Sequence, residues 1–94
     1  MPSIEIHGLG PKPARAMRHD IVNVILTKAP KVKDDVVVSI CPSEVKTVSK
    51  KNRPFIRVLS TSKKDRARVA KLINKALGID VEWLRINGFY EGKL

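Results

Sequence analysis

The residue of this chain best suited to chemistry is the proline at position 2. Initiator methionine is usually removed when a small residue follows, and the chain would then begin with the secondary amine of Pro2. An α-amine has a pKa of about 7.7–8.0, well below that of lysine, and burial or a neighbouring cation lowers it further. Such an amine is a general base at neutral pH. If Met1 is retained, the Pro2 nitrogen is an amide and cannot take up a proton.

Hydrophobic periodicity predicts that this proline stands in front of a strand, in a chain of six elements. Alternating or β-branched runs predict strands at 3–8, 35–40, 55–59 and 83–86, with 46–48 as a continuation of the second strand. Apolar residues at helical spacing predict helices at about 14–28 and 65–77. Pro30 ends the first helix and Gly78 the second.

The two halves of the chain resemble each other. The segment Pro2-Ser-Ile-Glu-Ile recurs as Pro54-Phe-Ile-Arg-Val, and each copy is followed by a helix and another strand. We therefore expect a single domain, 1–94, made of two β-α-β repeats at about 2–42 and 54–90, each with parallel strands and a right-handed crossover. This order fits a ferredoxin-like sandwich and a tautomerase barrel.

Motifs in both halves favour the second fold. Residues 76–90, Ala-Leu-Gly-Ile-Asp-Val-Glu-Trp-Leu-Arg-Ile-Asn-Gly-Phe-Tyr, match the pattern Leu-x-Ile-x-x-(Asp/Glu)-x-x-x-Ile-Asn-x-x-Tyr without a gap. Lys31 lies eleven residues before Pro42. With Met-Pro at the start, the chain resembles the tautomerase superfamily, in its macrophage migration inhibitory factor-like branch. The resemblance implies an α+β fold, with a four-stranded mixed sheet and two helices on one face, assembled as a trimeric barrel.

The resemblance also implies an activity and a site. Pro2 matches the catalytic proline that moves a proton between the enol and keto forms of an α-keto acid. Lys31 matches the lysine that binds the substrate carboxylate, and Asn87 matches an asparagine given to the neighbouring subunit's pocket. A homotrimeric isomerase that needs no cofactor, acting on a small α-keto acid or enol, is the implied function.

The chain departs from the family pattern at three places. Arg85 stands where the family has an aromatic residue, which favours a carboxylate or dicarboxylate substrate because guanidinium grips carboxylates bidentately. The loop after the third strand is shortened, so Ser60 and Thr61 are expected to supply its backbone N–H and one wall of the pocket. Cys41 is the only cysteine, so no Cys-x-x-Cys motif exists and thiol-oxidoreductase activity is not expected.

The charge balance supports a rival function. The 94 residues carry 19 lysines and arginines against 9 acidic residues, a net charge of +10 that attracts polyanions. The second helix is basic throughout, with Lys63, Lys64, Arg66, Arg68, Lys71 and Lys75. The alternatives are therefore a nucleic-acid-binding protein or a non-catalytic structural or signalling trimer of the same fold. Only 4% of residues are aromatic, which argues against base stacking on the sheet.

Composition and spacing also bound what else the chain does. No apolar run is long enough to cross a bilayer and no signal peptide is evident, so we expect a cytoplasmic protein without a membrane partner. His7 and His19 show no spacing, to each other or to Cys41, that suggests a metal site, and none is expected.

Overall fold

A computed structural model describes residues 3–34, 36–41, 45–60 and 62–85, with the last two residues of the final strand described through their backbone alone. Four strands and two long helices follow each other in the order β-α-β-β-α-β. The bounds are β1 Ser3–His7, α1 Pro11–Lys28, β2 Val37–Ile40, β3 Phe55–Ser60, α2 Lys63–Leu77 and β4 Val81–Arg85, with a 3-10 turn at Pro30–Val32.

The strands form one mixed sheet in the order β2-β1-β3-β4. β1 and β2 run parallel, as do β3 and β4, while β1 and β3 at the centre run antiparallel. Each β-α-β repeat thus contributes a parallel pair, and the two repeats join through their first strands. This arrangement confirms the predicted fold class in its sheet and its two helices.

The core lies between the sheet and the helices. Ile4 and Ile6 of β1 are buried beside Ile56 and Val58, their register partners on β3. Residues that alternate with these along the same strands lie on the other side of the sheet; Glu5 and Arg57 are half-buried there, and Phe55 is buried. Ile21 of α1 and Ile73 of α2 cover the apolar face, whereas the opposite face, which we call the open face, carries neither helix.

Several boundaries differ from the predicted ones. α1 begins at Pro11 rather than near Ala14, because proline suits the first helical position, where no N–H bond is needed. α2 begins at Lys63, because the Ser62 hydroxyl accepts the Asp65 N–H and caps the helix.

The segment predicted to prolong the second strand instead belongs to a turn. Lys46 forms an isolated antiparallel bridge with Asn52, and the Thr47 N–H donates to the Lys51 carbonyl at 2.9 Å. β4 begins at Val81, two residues before the predicted start at residue 83. Within the described residues, neither helix is both long enough and apolar enough to span a bilayer.

Candidate active site

All four strands of the described sheet have one of their ends at the same end of the sheet, here called the Ser3 end. Ser3 opens β1 and has Val37, the first residue of β2, and Leu59 of β3 as Cα partners. The next residue of β3 is Ser60, which pairs with Arg85 at the end of β4. Because neighbouring strands lie about 4.8 Å apart, these ends share a narrow region.

The predicted site residues divide into those that the structure places and those that it does not. Ser60 and the backbone of Arg85 lie at the Ser3 end. Lys31 lies in the 3-10 turn that precedes β2, and β2 also starts at this end. Pro2, Thr61 and Asn87 lie outside the described residues, so these three assignments stay predictions.

Ser60 is fully buried and engaged within the protomer. Its Oγ accepts the Ser62 N–H at 3.1 Å, and its carbonyl accepts a hydrogen bond from Arg66 Nη1 at 2.8 Å. The Ser60 side chain therefore holds the turn into α2, and its hydroxyl does not face solvent in the protomer.

Arg66 is the feature of this region that sequence patterns misplace. The basic sequence of the second helix predicts an exposed cation at this position, but Arg66 is only 8% exposed. The reason is its position in the first turn of α2, from which the guanidinium reaches back to the Ser60 carbonyl. Arg66 Nε has no hydrogen-bond partner, and no described carboxylate lies within ion-pair distance of it. This guanidinium therefore has no ion-pair partner among the described residues.

A small apolar groove lies next to the turn that carries Lys31. It has a volume of about 60 Å³ and runs between α1 and β2. Its lining residues are Val22, Ile25, Leu26, Lys33, Val36 and Val38. Lys31 is exposed and does not line the groove, whereas Lys33 does. Sequence spacing selected Lys31 and overlooked Lys33, because only the fold shows which lysine borders apolar surface.

The open face of the sheet holds a polar network outside the predicted site. Arg57 on β3 donates from Nε and Nη2 to the same carboxylate oxygen, Glu82 Oε1, at 2.8 Å in both cases. Arg57 Nη1 lies 3.8 Å from Glu5 Oε1 on β1, a looser contact. The guanidinium also lies over the Phe55 ring, 5.4 Å from its centroid. Strand register explains the cluster, since Glu5, Arg57 and Glu82 are successive cross-strand partners.

Next to this network, His7 lies close to the Phe55 ring, the Glu5 carboxylate and the Cys41 thiol. Its ring stacks on Phe55 with centroids 4.7 Å apart, and its Nε2 lies 3.0 Å from Glu5 Oε1. The Cys41 N–H donates to the Ile6 carbonyl at 2.9 Å, which holds Cys41 next to β1. Burial, and secondarily the negative charge of Glu5, raises the pKa of the Cys41 thiol, while Arg57 acts in the opposite direction.

Comparison with solved structures places this fold among known ones. A protein of unknown function from Vibrio cholerae superposes with a TM-score of 0.65 at 10% identity, covering 98% of this chain and 85% of that one. A domain of unknown function from Sebaldella termitidis gives 0.61 at 17% identity, covering 92% and 87%. Macrophage migration inhibitory factor from Toxoplasma gondii gives 0.52 at 16% identity, covering 93% and 88%.

These likenesses establish the fold. The chain has the architecture of macrophage migration inhibitory factor-like proteins, which confirms the resemblance read from its motifs. In sequence, no protein-family model matches it and no curated protein does.

Proposed function

We propose that the protein is a keto–enol tautomerase that acts on an α-keto acid through the amino-terminal nitrogen of Pro2. The observation that carries this proposal is the convergence of the start of β1 with the ends of β3 and β4. Pro2 directly precedes Ser3 in the sequence, and Ser3 lies at the same end of the sheet as Ser60 and the backbone of Arg85. The fold shared with macrophage migration inhibitory factor-like proteins supports the same proposal.

The proposed reaction is a proton transfer between carbon and oxygen. With Met1 removed, the Pro2 amine takes a proton from the carbon next to the keto group, and negative charge develops on the keto oxygen. The prolinium then returns that proton to the oxygen, which completes the enol. Ketonisation runs through the same steps in reverse.

Cations around the site favour an anionic substrate. Lys31 and Arg85 are proposed to bind the substrate carboxylate, and Asn87 of a neighbouring subunit to orient it. The buried guanidinium of Arg66 supports the same substrate class, because it adds a fixed positive charge beside Ser60.

A homotrimer is part of this proposal. β2 and β4 are the outer strands of the described sheet, and each carries an exposed apolar residue, Val37 at 45% and Trp83 at 49%. Pairing of these edges between subunits would cover both residues and satisfy the free backbone groups. It would also enlarge the buried surface of a chain of only 94 residues.

The test is ketonisation of phenylenolpyruvate, followed by ultraviolet absorbance, on protein whose mass shows that Met1 is absent. Pro2→Ala should lower kcat/KM because a primary amine replaces the secondary amine of proline, and protein that retains Met1, whose Pro2 nitrogen is an amide, should lose about a hundredfold or more, as expected for loss of a general base. Pro54→Ala is the matched control, because Pro54 holds the same place in the second repeat but has no free amine. Equal turnover by wild type and Pro2→Ala, or no turnover by a chain with a free Pro2, would refute the proposal.

A nucleic-acid-binding function is the second candidate, and one observation favours it. Lys63, Lys64, Arg68, Lys71 and Lys75 of α2 are all exposed in the protomer. Such a function predicts that affinity for a duplex or single-stranded oligonucleotide falls steeply between low and high salt. Fluorescence anisotropy of a labelled oligonucleotide at several salt concentrations tests this candidate. Binding that weakens steeply with salt supports it, and absence of binding at low salt shows that these side chains are only solvated.

A further inference from the structure

A cluster of polar side chains lies at the end of β1 opposite the Ser3 end, and none of them takes part in the proposed proton transfer. Glu5, His7 and Cys41 each offer one ligand atom, and these three atoms all lie within 4.8 Å of one another. Glu5 and His7 lie two and four residues beyond Ser3, so the cluster is about 7 to 13 Å along the strand from the proposed catalytic end. We propose that these three side chains form a zinc-binding site on the open face of the sheet.

The donor set selects the metal. Imidazole nitrogen, thiolate sulfur and carboxylate oxygen are the three ligand types that Zn²⁺ takes in proteins, and three protein ligands leave a fourth position for water. Ca²⁺ and Mg²⁺ prefer sites made of oxygen alone. Zinc–ligand bonds of about 2.0–2.3 Å place neighbouring ligand atoms about 3.3–3.8 Å apart in a tetrahedron. His7 Nε2 and Glu5 Oε1 are 3.0 Å apart, and no pair among the three ligand atoms is more than 4.8 Å apart.

The fold holds these ligands in place before any metal binds. The His7 ring is fixed by stacking on Phe55, with Nε2 directed at Glu5. Cys41 follows directly after β2 and is hydrogen-bonded through its backbone to Ile6 of β1. A restrained ring and a restrained backbone reduce the entropy lost when the metal is bound.

Arg57 and Arg53 carry positive charge beside this cluster and oppose a cation: their guanidinium groups lie over the Phe55 ring, 5.4 and 5.6 Å from its centroid. Two nitrogens of Arg57 are engaged by Glu82 at 2.8 Å, whereas its contact with Glu5 is 3.8 Å long. Glu82 therefore accepts both short bonds of Arg57, while Glu5 Oε1 is shared between His7 Nε2 at 3.0 Å and the longer contact with Arg57. The remaining positive charge weakens the binding of a cation at this site.

Binding changes the protonation of one ligand. The Cys41 thiol gives up its proton when the metal–sulfur bond forms, so each metal ion bound releases about one proton to the buffer. No electron is transferred, because Zn²⁺ is not redox-active.

Titration of the whole protein with Co²⁺, in a thiol-free reductant, tests the site. Because Cys41 is the only cysteine, a thiolate-to-cobalt charge-transfer band can arise only from it. We expect the band to saturate at one Co²⁺ per chain and to disappear when Zn²⁺ is added.

Three variants assign the ligands. Cys41→Ser should abolish the band, and His7→Gln and Glu5→Gln should each weaken Co²⁺ binding by about tenfold or more. His19→Gln is the matched control, because His19 is exposed on α1 and contacts only Asn23 among the described polar side chains. Far-ultraviolet circular dichroism checks that each variant is folded.

Two results would overturn the proposal: absence of the band from the wild-type protein, or a band of unchanged affinity in folded His7→Gln. The wild-type titration is informative even if a variant does not fold. It is also independent of Pro2, so a protein without tautomerase activity can still pass this test.

Discussion

Gly8 is the position where one added methyl group should have the largest calculable effect. It directly follows β1 and has φ of +80°, a left-handed conformation in which L residues are strained. A Cβ at this position would meet the backbone of the loop before β3, 2.8 Å from the Pro54 Cα and 2.9 Å from the Arg53 carbonyl carbon. Backbone atoms cannot rotate away as the end of a side chain can.

The expected cost of Gly8→Ala has two parts. The left-handed conformation costs about 1 kcal/mol for alanine, and forcing atoms into filled space typically costs a further 1–3 kcal/mol, about 2–4 kcal/mol in total. The chain also contains the matched control. Gly78 ends α2 with φ of +62°, but nothing lies within 4 Å of its added Cβ, so Gly78→Ala should show only the first part, about 1 kcal/mol.

Urea denaturation of the wild type and the two variants, at one protein concentration, measures the difference. Gly8→Ala should be less stable than Gly78→Ala by about 1–3 kcal/mol. In a thermal melt, each kcal/mol corresponds to a Tm lower by roughly 4–8 °C. Equal destabilisation by the two substitutions would refute the reasoning, because it would show that the contact with the loop before β3 contributes nothing.

Two further predictions concern Cys41, a proposed zinc ligand, and Arg66, which lies beside Ser60 at the proposed catalytic end. Because burial and the charge of Glu5 raise the pKa of Cys41, its thiolate fraction at pH 8 is small, and iodoacetamide should alkylate it more slowly than it alkylates glutathione. Glu5→Gln should speed that reaction, and a wild-type rate equal to that of glutathione would contradict the assignment. Arg66→Met should change the free energy of unfolding by less than about 1 kcal/mol, since loss of the bond to Ser60 is offset by removal of an unpartnered buried Nε. The same variant should raise KM for an anionic enol, whereas a loss of more than about 3 kcal/mol in stability would reveal partners that the guanidinium is not expected to have.

Much of the fold was predictable because its signals are local. Alternation in 3–8 and helical spacing of apolar residues after Pro13 identify a strand and a helix from short windows of sequence. The repeat of Pro2-Ser-Ile-Glu-Ile at 54–58 then limits the topology to two paired β-α-β units. The element order follows from these signals, the mixed sheet is what the family resemblance implies, and the structure confirms both. The roles of Pro2, Lys31 and Asn87 are implied by the family resemblance and stay predictions.

Contacts between distant segments were decided only by the tertiary structure. Arg66 looks like one more cation on a basic helix, and only the position of β3 under the first turn of α2 buries it against Ser60. Cys41 lies far from His7 along the chain, and the parallel register of β1 and β2 makes them neighbours. The physical reason is that the pattern within an element depends on residues a few positions apart. Register and burial depend instead on how whole elements pack, and no spacing within one segment records that.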